Sequence, residues 1–288
     1  MRYLAADDLR QALPMADCIE AMRAAFSDDR EVPPRVMLGT SLFMPARVGA
    51  HTGIKVVSTV PGNPVGVVAV FGGDGTPLGI VDGPTLTAIR TAAGAGLATD
   101  LLARTDSKSM AMLGAGAMAY DQVEAIRAVR PLERIRVWSR TTERAAALAD
   151  RVGGEPATDS EEAVSGADVI SCATPSKQPL FSPESVQTGT HINAIGAFTP
   201  DMCEVPADTV RSAFVVVDDR AAAAAEAGDL IQAGKKPDAT MADLLDGRLR
   251  RTSQPITLFK SVGIGSQDVA AAVRALENAA ARDIGLEL

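Results

Sequence analysis

Aromatic side chains are nearly absent from this chain, at 3% of 288 residues. Its core must therefore be assembled from Ala, Val, Leu and Ile. Positive charge is also short. Lys and Arg number 28 against 36 Asp and Glu, a formal net charge of −8, which argues against the basic surface a nucleic-acid binder needs to displace counterions. A local cluster of cations inside an acidic protein still suits a small anion. The three cysteines, Cys18, Cys172 and Cys203, are odd in number and far apart, so no disulfide framework or zinc spacing follows. The two histidines, His51 and His191, form no dyad or metal cluster by spacing, and His191 reads as structural. No stretch of about 18 apolar residues occurs, and the N-terminus lacks the apolar core of a signal peptide. No membrane partner is expected, and the expected location is cytoplasmic.

What is present changes character near residue 106. Before it, Asp17 to Phe26 has the apolar spacing of a helix, and Val32-Pro33-Pro34-Arg35 interrupts the pattern. Strand-like runs follow over 36–43, 53–60, 65–71 and 78–81. Gly72-Gly73-Asp74-Gly75 between the last two is a hairpin signal. Strands in succession predict a mostly antiparallel sheet. Asp82-Gly83-Pro84 then opens a helix over 85–103. After residue 106 strands and helices alternate: a strand at 109–113, a helix at 117–129, a strand at 135–139, a helix at 142–152, and short apolar runs at 168–173, 191–195 and 214–218. Such nearly continuous runs fit parallel strands buried on both faces. The tail breaks the rhythm with a strand-like 256–262 and an amphipathic helix over 267–284.

The first of the alternating strands runs into Gly114-Ala115-Gly116-Ala117-Met118-Ala119. Gly114 permits a tight turn, Gly116 lets backbone approach a pyrophosphate, and Ala119 lets the next helix pack closely. The helix N-terminus offers unpaired N–H groups to phosphate. The fold class is therefore α/β: a doubly wound Rossmann domain over 106–255, and a second, α+β, mostly antiparallel domain over 1–105 completed by 256–288. The second strand ends in Ser139-Arg140-Thr141, with Arg144 one turn on, where NAD enzymes usually carry a carboxylate for the ribose. Arg140 with these hydroxyls suits a 2′-phosphate. NADP(H) is therefore expected over NAD(H), which stays possible.

Lys55 interrupts the apolar Gly53-Ile54-Lys55-Val56-Val57, Arg35 follows two prolines, and Arg90 lies in the helix leading to the nucleotide domain. These segments, with Thr87-Ala88-Ile89-Arg90-Thr91-Ala92-Ala93, the Gly114 loop, Asn193-Ala194-Ile195-Gly196-Ala197, Glu226-Ala227-Gly228-Asp229 and Thr257-Leu258-Phe259-Lys260-Ser261-Val262-Gly263, resemble the ornithine cyclodeaminase/mu-crystallin family. The resemblance spans nearly the whole chain in order. It implies that the α+β domain over 1–105, completed by 256–288, is a substrate-binding and dimerisation domain, and that the protein is a homodimer with substrate in the cleft between domains. It also implies that Arg35, Lys55 and Arg90 hold a substrate carboxylate, that Thr91 approaches the pyrophosphate, that Thr174 and Asn193 lie near the nicotinamide half, and that Gly263 lets backbone approach the ring.

Ornithine cyclodeaminases carry acidic residues where this chain has Phe198 and Leu42, so a distal ammonium would enter without partners. The expected chemistry is that of the family's ketimine reductases: hydride from NADPH to a cyclic α-imino acid, Δ1-pyrroline-2-carboxylate or Δ1-piperideine-2-carboxylate, giving L-proline or L-pipecolate. Lys55 either clamps the carboxylate or donates the proton as the catalytic residue. The alternatives are an NAD-dependent, ammonia-releasing ornithine cyclodeaminase, an alanine dehydrogenase acting on an α-oxo acid, and a non-catalytic NADPH-dependent binding protein. No metal ligand set is expected.

Overall fold

The computed structural model describes residues 1–60, 65–248 and 256–288. It divides into two compact units, Met1–Gly94 with Ile264–Leu288, and Ala95–Gly263.

The first unit is built on a mostly antiparallel sheet. Strands His51–Ser58, Gly66–Phe71 and Pro77–Asp82 follow one another as antiparallel neighbours, with Ser41–Val48 on the other side of His51–Ser58. The expected hairpin at Gly72–Gly75 is present: Gly75 N–H donates to Gly72 O at 3.0 Å, and Gly75 takes a φ of 82°. The predicted single strand over 36–43 is instead a hairpin. Val36–Leu38 folds back on Ser41–Val48 around Gly39, at φ 59°, a left-handed position that glycine adopts without strain. Four short elements of this unit were not predicted: strands Arg2–Leu4, Arg30–Glu31 and Leu286–Glu287, and helix Ala6–Ala12. Arg2–Leu4 pairs in parallel with Pro77–Asp82 and antiparallel with Leu286–Glu287. Helix Gly265–Arg282 packs on helix Met15–Phe26 and on the sheet. Gly265 fits there because it has no side chain: an added Cβ would lie 2.9 Å from Pro45 O and 3.1 Å from Met44 O.

The 20-residue helix Gly83–Leu102 carries the chain from one unit into the other. Its C-terminal carbonyls need partners. The buried Arg130 guanidinium donates to Thr99 O, Asp100 O and Ala103 O at 2.9, 2.9 and 3.1 Å.

The second unit holds an eight-stranded sheet in which every pairing is parallel. Strands Ser109–Leu113, Arg134–Trp138 and Glu155–Pro156 build outward in one direction. Val169–Cys172 then returns to the other side of Ser109–Leu113, followed by His191–Ala194. Thr257–Lys260 lies between His191–Ala194 and Phe214–Val217. This corrects the expected domain limits. The strand at 257–260 belongs to the parallel sheet, not to the first domain, because all four of its residues are buried as a central parallel strand requires. The tail rejoins the first unit only from Ile264, and the first unit ends at Gly94 rather than 105. The expected limit at 255 lies outside the described residues.

Candidate active site

The doubly wound sheet reverses its strand order between Ser109–Leu113 and Val169–Cys172. Ligands bind such sheets at the carboxyl ends of the strands flanking the reversal. An open cleft of about 690 Å³ lies there, lined by Gly114, Gly116, Ser139, Arg140, Thr141, Arg144 and Thr174 among others. Gly114 has two reasons to be glycine. Its φ is 112°, and an added Cβ would meet Ala173 O at 2.7 Å. Gly116 faces open space, with nothing within 4 Å of where a Cβ would stand, so backbone there is accessible to a ligand. Ala119 is fully buried at the start of helix Ala119–Val129, as close helix–strand packing requires. Met118 caps that helix and Ala117 is exposed, so the helix starts two residues later than predicted. Arg140, Thr141 and Arg144 are exposed, and Ser139 Oγ accepts from Thr141 N–H at 3.4 Å. These residues fit a dinucleotide: a glycine turn with open backbone, a helix N-terminus, and two arginines at the end of the second strand.

A buried carboxylate shapes one wall of this cleft. Glu204 Oε1 accepts from Thr174 N–H and Thr174 Oγ1–H at 2.6 and 2.9 Å, and its Oε2 accepts from Gly196 and Ala197 N–H at 2.8 and 3.1 Å. One side chain thus ties together the loops leaving two adjacent strands. Asp229 holds Glu204 in turn, accepting from the backbone N–H groups of Glu204 and Val205. Asp229 also pairs with the fully buried Lys260 at 2.7 Å. Burial pushes the Glu204 carboxyl up, and the Lys260 ammonium opposes that shift. Asp218 does similar work nearby, accepting from Ser261 Oγ–H and from the backbone of Val262 and Gly263 at 2.8–3.0 Å. Sequence reading left Glu204 without a role. A lone acid in a loop carries no signal until its burial is known.

The first unit holds a second polar cluster. Lys55 lies on the central strand His51–Ser58, opposite Met44 and Val68. All three are buried, so an ammonium sits in an apolar row. Lys55 Nζ lies 3.1 and 3.0 Å from the two carboxylate oxygens of Asp268, and 3.4 Å from Thr87 Oγ1. Arg90 Nε donates to the same carboxylate at 2.9 Å, and Arg90 Nη1 donates to Gln267 Oε1 at 3.0 Å. Gln267 Oε1 also accepts from Ile264 N–H at 2.9 Å, closing the first turn of helix Gly265–Arg282. Burial lowers the Lys55 ammonium to about 8. Asp268 opposes this, while the positive charges of Arg90 and Arg35 add to it. Arg35 is half-buried. Lys55 and Arg90 thus meet on the Asp268 carboxylate, while Arg35 acts on Lys55 through its charge. Asp268 and Gln267 were missed.

Two of the predicted cofactor residues are hydrogen-bonded within the fold, and a third is buried. Asn193 is fully buried, with Nδ2 donating to Thr99 Oγ1 at 2.9 Å and Oδ1 bonded to His191 Nε2 at 3.2 Å. His191 Nδ1 in turn meets Thr257 Oγ1 at 2.9 Å, which makes it an interior strut. Gly263 has a φ of 77°, and its N–H is committed to Asp218. Thr91 is buried at 7% exposure in the Gly83–Leu102 helix. Phe198 is half exposed, and Leu42 is partly buried beside Val57. Among the described residues no group of His, Cys, Asp or Glu could hold a metal ion, and no helix is long and apolar enough to cross a membrane.

A model of the ornithine cyclodeaminase/mu-crystallin family matches residues 3–283. The chain belongs to that family. A Δ1-pyrroline-2-carboxylate reductase from Bacillus cereus is 35% identical over 99% of this chain and 98% of its own length. Two solved structures share the fold of this ornithine cyclodeaminase/mu-crystallin member across its whole length. One is Δ1-pyrroline-2-carboxylate reductase of Thermococcus litoralis in complex with NADH and L-proline, at 28% identity and a TM-score of 0.92, covering all of both chains. The other is an archaeal alanine dehydrogenase dimer with bound NAD, at 28% identity and a TM-score of 0.91, covering 98% of that chain.

Proposed function

We propose that the chain reduces cyclic α-imino acids with a reduced nicotinamide nucleotide, converting Δ1-pyrroline-2-carboxylate to L-proline or Δ1-piperideine-2-carboxylate to L-pipecolate. The coarser statement, a nicotinamide-nucleotide-dependent oxidoreductase of this family, rests on the whole-length similarity to named reductases. The observation that carries the finer one is the buried pair Lys55 and Arg90, held on one carboxylate, with the charge of Arg35 acting on Lys55. Two aligned cations away from water favour a small carboxylate, and an ammonium lowered to about 8 gives up a proton readily near neutral pH.

A reduced nicotinamide supplies a hydride, which forms the new C–H bond at the imine carbon as the cofactor is oxidised. In this reading the guanidinium of Arg90, with Arg35, holds the substrate carboxylate. Lys55 protonates the imine nitrogen, which receives the electron pair released from the C=N bond, and solvent later restores the Lys55 proton. Burial of the cluster keeps out water that would hydrolyse the imine. Arg140 and Arg144 favour NADPH through its 2′-phosphate, with NADH also accepted. Phe198, where ornithine cyclodeaminases carry an acid, supports an apolar ring rather than a diamino acid. The exposed apolar run Val36, Met37 and Leu38 supports a homodimer.

The similarity to an archaeal alanine dehydrogenase favours one second reading, reductive amination of an open-chain α-oxo acid, for which the same cations would hold the carboxylate. The test is oxidation of NADPH and of NADH against both cyclic imino acids, pyruvate with ammonia, and pyruvate with methylamine, with ornithine and NAD alongside. Turnover of a cyclic imino acid to the L-amino acid supports the proposal. Turnover confined to pyruvate with ammonia transfers the assignment to alanine dehydrogenase, and ammonia release from ornithine transfers it to the lyase.

A further inference from the structure

A lysine and an arginine buried close together would repel one another and lose their hydration. Here a single carboxylate prevents that. Asp268 is fully buried on the first turns of helix Gly265–Arg282, with Lys55 Nζ at 3.0 Å and Arg90 Nε at 2.9 Å. Its two partners come from different elements, one from the central strand and one from the Gly83–Leu102 helix. Gln267 fixes the arrangement from the adjacent position by accepting from Arg90 Nη1. Gln267 Nε2 and Ser266 Oγ are buried without a hydrogen-bond partner among the described residues, so the turn carrying Asp268 keeps polar capacity that the fold does not use.

We propose that Asp268 is a positioning residue of the substrate site, whose carboxylate aims Lys55 and Arg90 together and keeps the Lys55 ammonium charged until it transfers its proton. The proposal rests on the reading of imine reduction given above. The charged groups facing Lys55 are Asp268 from helix Gly265–Arg282, Arg90 from helix Gly83–Leu102, and Arg35 from the segment before Val36. The Thr87 hydroxyl also faces it, and its strand neighbours Met44 and Val68 carry no charge. Among these groups Asp268 is the negative charge opposing two positive ones and burial. Without it Lys55 loses its proton at lower pH, and the substrate meets a neutral amine.

The experiment replaces Asp268 by Asn and reads Lys55 directly. The chain has six lysines, so isotope-labelled lysine resolves each Nζ by NMR, with Lys55→Met assigning the signal. The Lys55 midpoint is expected to fall from about 8 by about 1–3 pH units, the range for an opposite charge at this distance. The alkaline limb of kcat/KM should move with it, and KM for the imino acid should rise while KM for the cofactor holds. The substrate's own titration is common to both proteins and cancels in the comparison. An unmoved midpoint with only a lower Tm would make Asp268 a structural residue and overturn the proposal. If D268N does not fold, D268N/R90Q removes one cation together with the anion and is read against R90Q. A lower midpoint in the double variant supports the proposal, and equal midpoints refute it. The two readings fail separately: a wild-type enzyme inert on every imino acid removes imine reduction, while the Lys55 titration still reports what Asp268 does.

Discussion

Replacing Lys55 by Met keeps most of the side-chain volume in the apolar row and removes the ammonium. Asp268 retains Arg90 at 2.9 Å, so no carboxylate is left buried and unpaired, and the variant should fold. If Lys55 only clamps the carboxylate, the loss is one charge-assisted hydrogen bond. That is about 1.5–3 kcal/mol, or roughly 10- to 150-fold at about 1.36 kcal/mol per tenfold, and it falls mainly on KM. If Lys55 also donates the proton, a further factor of about 10²–10⁴ falls on kcat. The account assigns it both roles, so kcat/KM should drop by about 10³ or more, with most of the loss in kcat. The assay is steady-state loss of reduced nicotinamide absorbance with Δ1-pyrroline-2-carboxylate, alongside circular dichroism and Tm. In the wild type, kcat/KM should be level below pH 8 and decline above it, because the donor must be protonated and its free-enzyme value is about 8. A folded K55M enzyme within about threefold of wild type would remove Lys55 from the chemistry.

Arg140→Asp should raise KM for NADPH by about 10- to 100-fold and leave KM for NADH unchanged or lower, since it exchanges a phosphate partner for a repelling charge beside ribose hydroxyls; equal effects on both cofactors would deny Arg140 that role. Glu204→Gln turns an amide N–H₂ toward backbone donors, either Thr174 N–H or the pair Gly196 and Ala197. Leaving donors unmet should cost about 1–3 kcal/mol of stability and weaken cofactor binding, measured by denaturant unfolding and by fluorescence titration of NADPH; unchanged affinity would detach Glu204 from the cleft wall. The Lys55 value of about 8 in the fold lies below its ordinary 10.5. The unfolded chain therefore binds the extra proton between those pH values, and the lysine's destabilising contribution, about 3 kcal/mol at neutral pH, is relieved as pH rises through that window. K55M should exceed the wild type in unfolding free energy at pH 7, by an amount that shrinks toward pH 10; a constant difference would contradict this.

The nucleotide-binding half was legible because its signals are local. Gly114 and Gly116 sit between an apolar strand and a helix, and the structure keeps that order with strand limits at Ser109–Leu113 as expected. Lys55 was legible because a lysine inside Gly53–Val57 breaks an apolar run, and Arg35 and Arg90 completed the trio only through the family resemblance. The partners of that trio were not. Asp268 stands in an alanine-rich helix, where an acid in the first turn reads as a partner for the helix dipole. The available signal was its register: Asp268 shares a stripe with Ala271, Ala272 and Ala275, all buried, and an acid on a core stripe needs a partner. The strand Thr257–Lys260 was assigned to the wrong sheet because its neighbours, Ala194 and Val217 among them, are distant in sequence. The hairpin at Gly39 was missed because apolar residues continue on both sides of the turn. Asn193 was read from family position alone, and its hydrogen bonds to Thr99 and His191 depend on packing that no local pattern encodes.

The most direct measurement is single-turnover reaction of the wild-type protein, preloaded with NADPH, with Δ1-pyrroline-2-carboxylate and, in parallel, Δ1-piperideine-2-carboxylate, with chiral analysis of the amino acid formed. The account predicts that reduced cofactor is consumed in step with the appearance of L-proline or L-pipecolate, and that R90Q and K55M both lose this reaction while still binding NADPH. Cofactor bound tightly but never oxidised by either ring would contradict it.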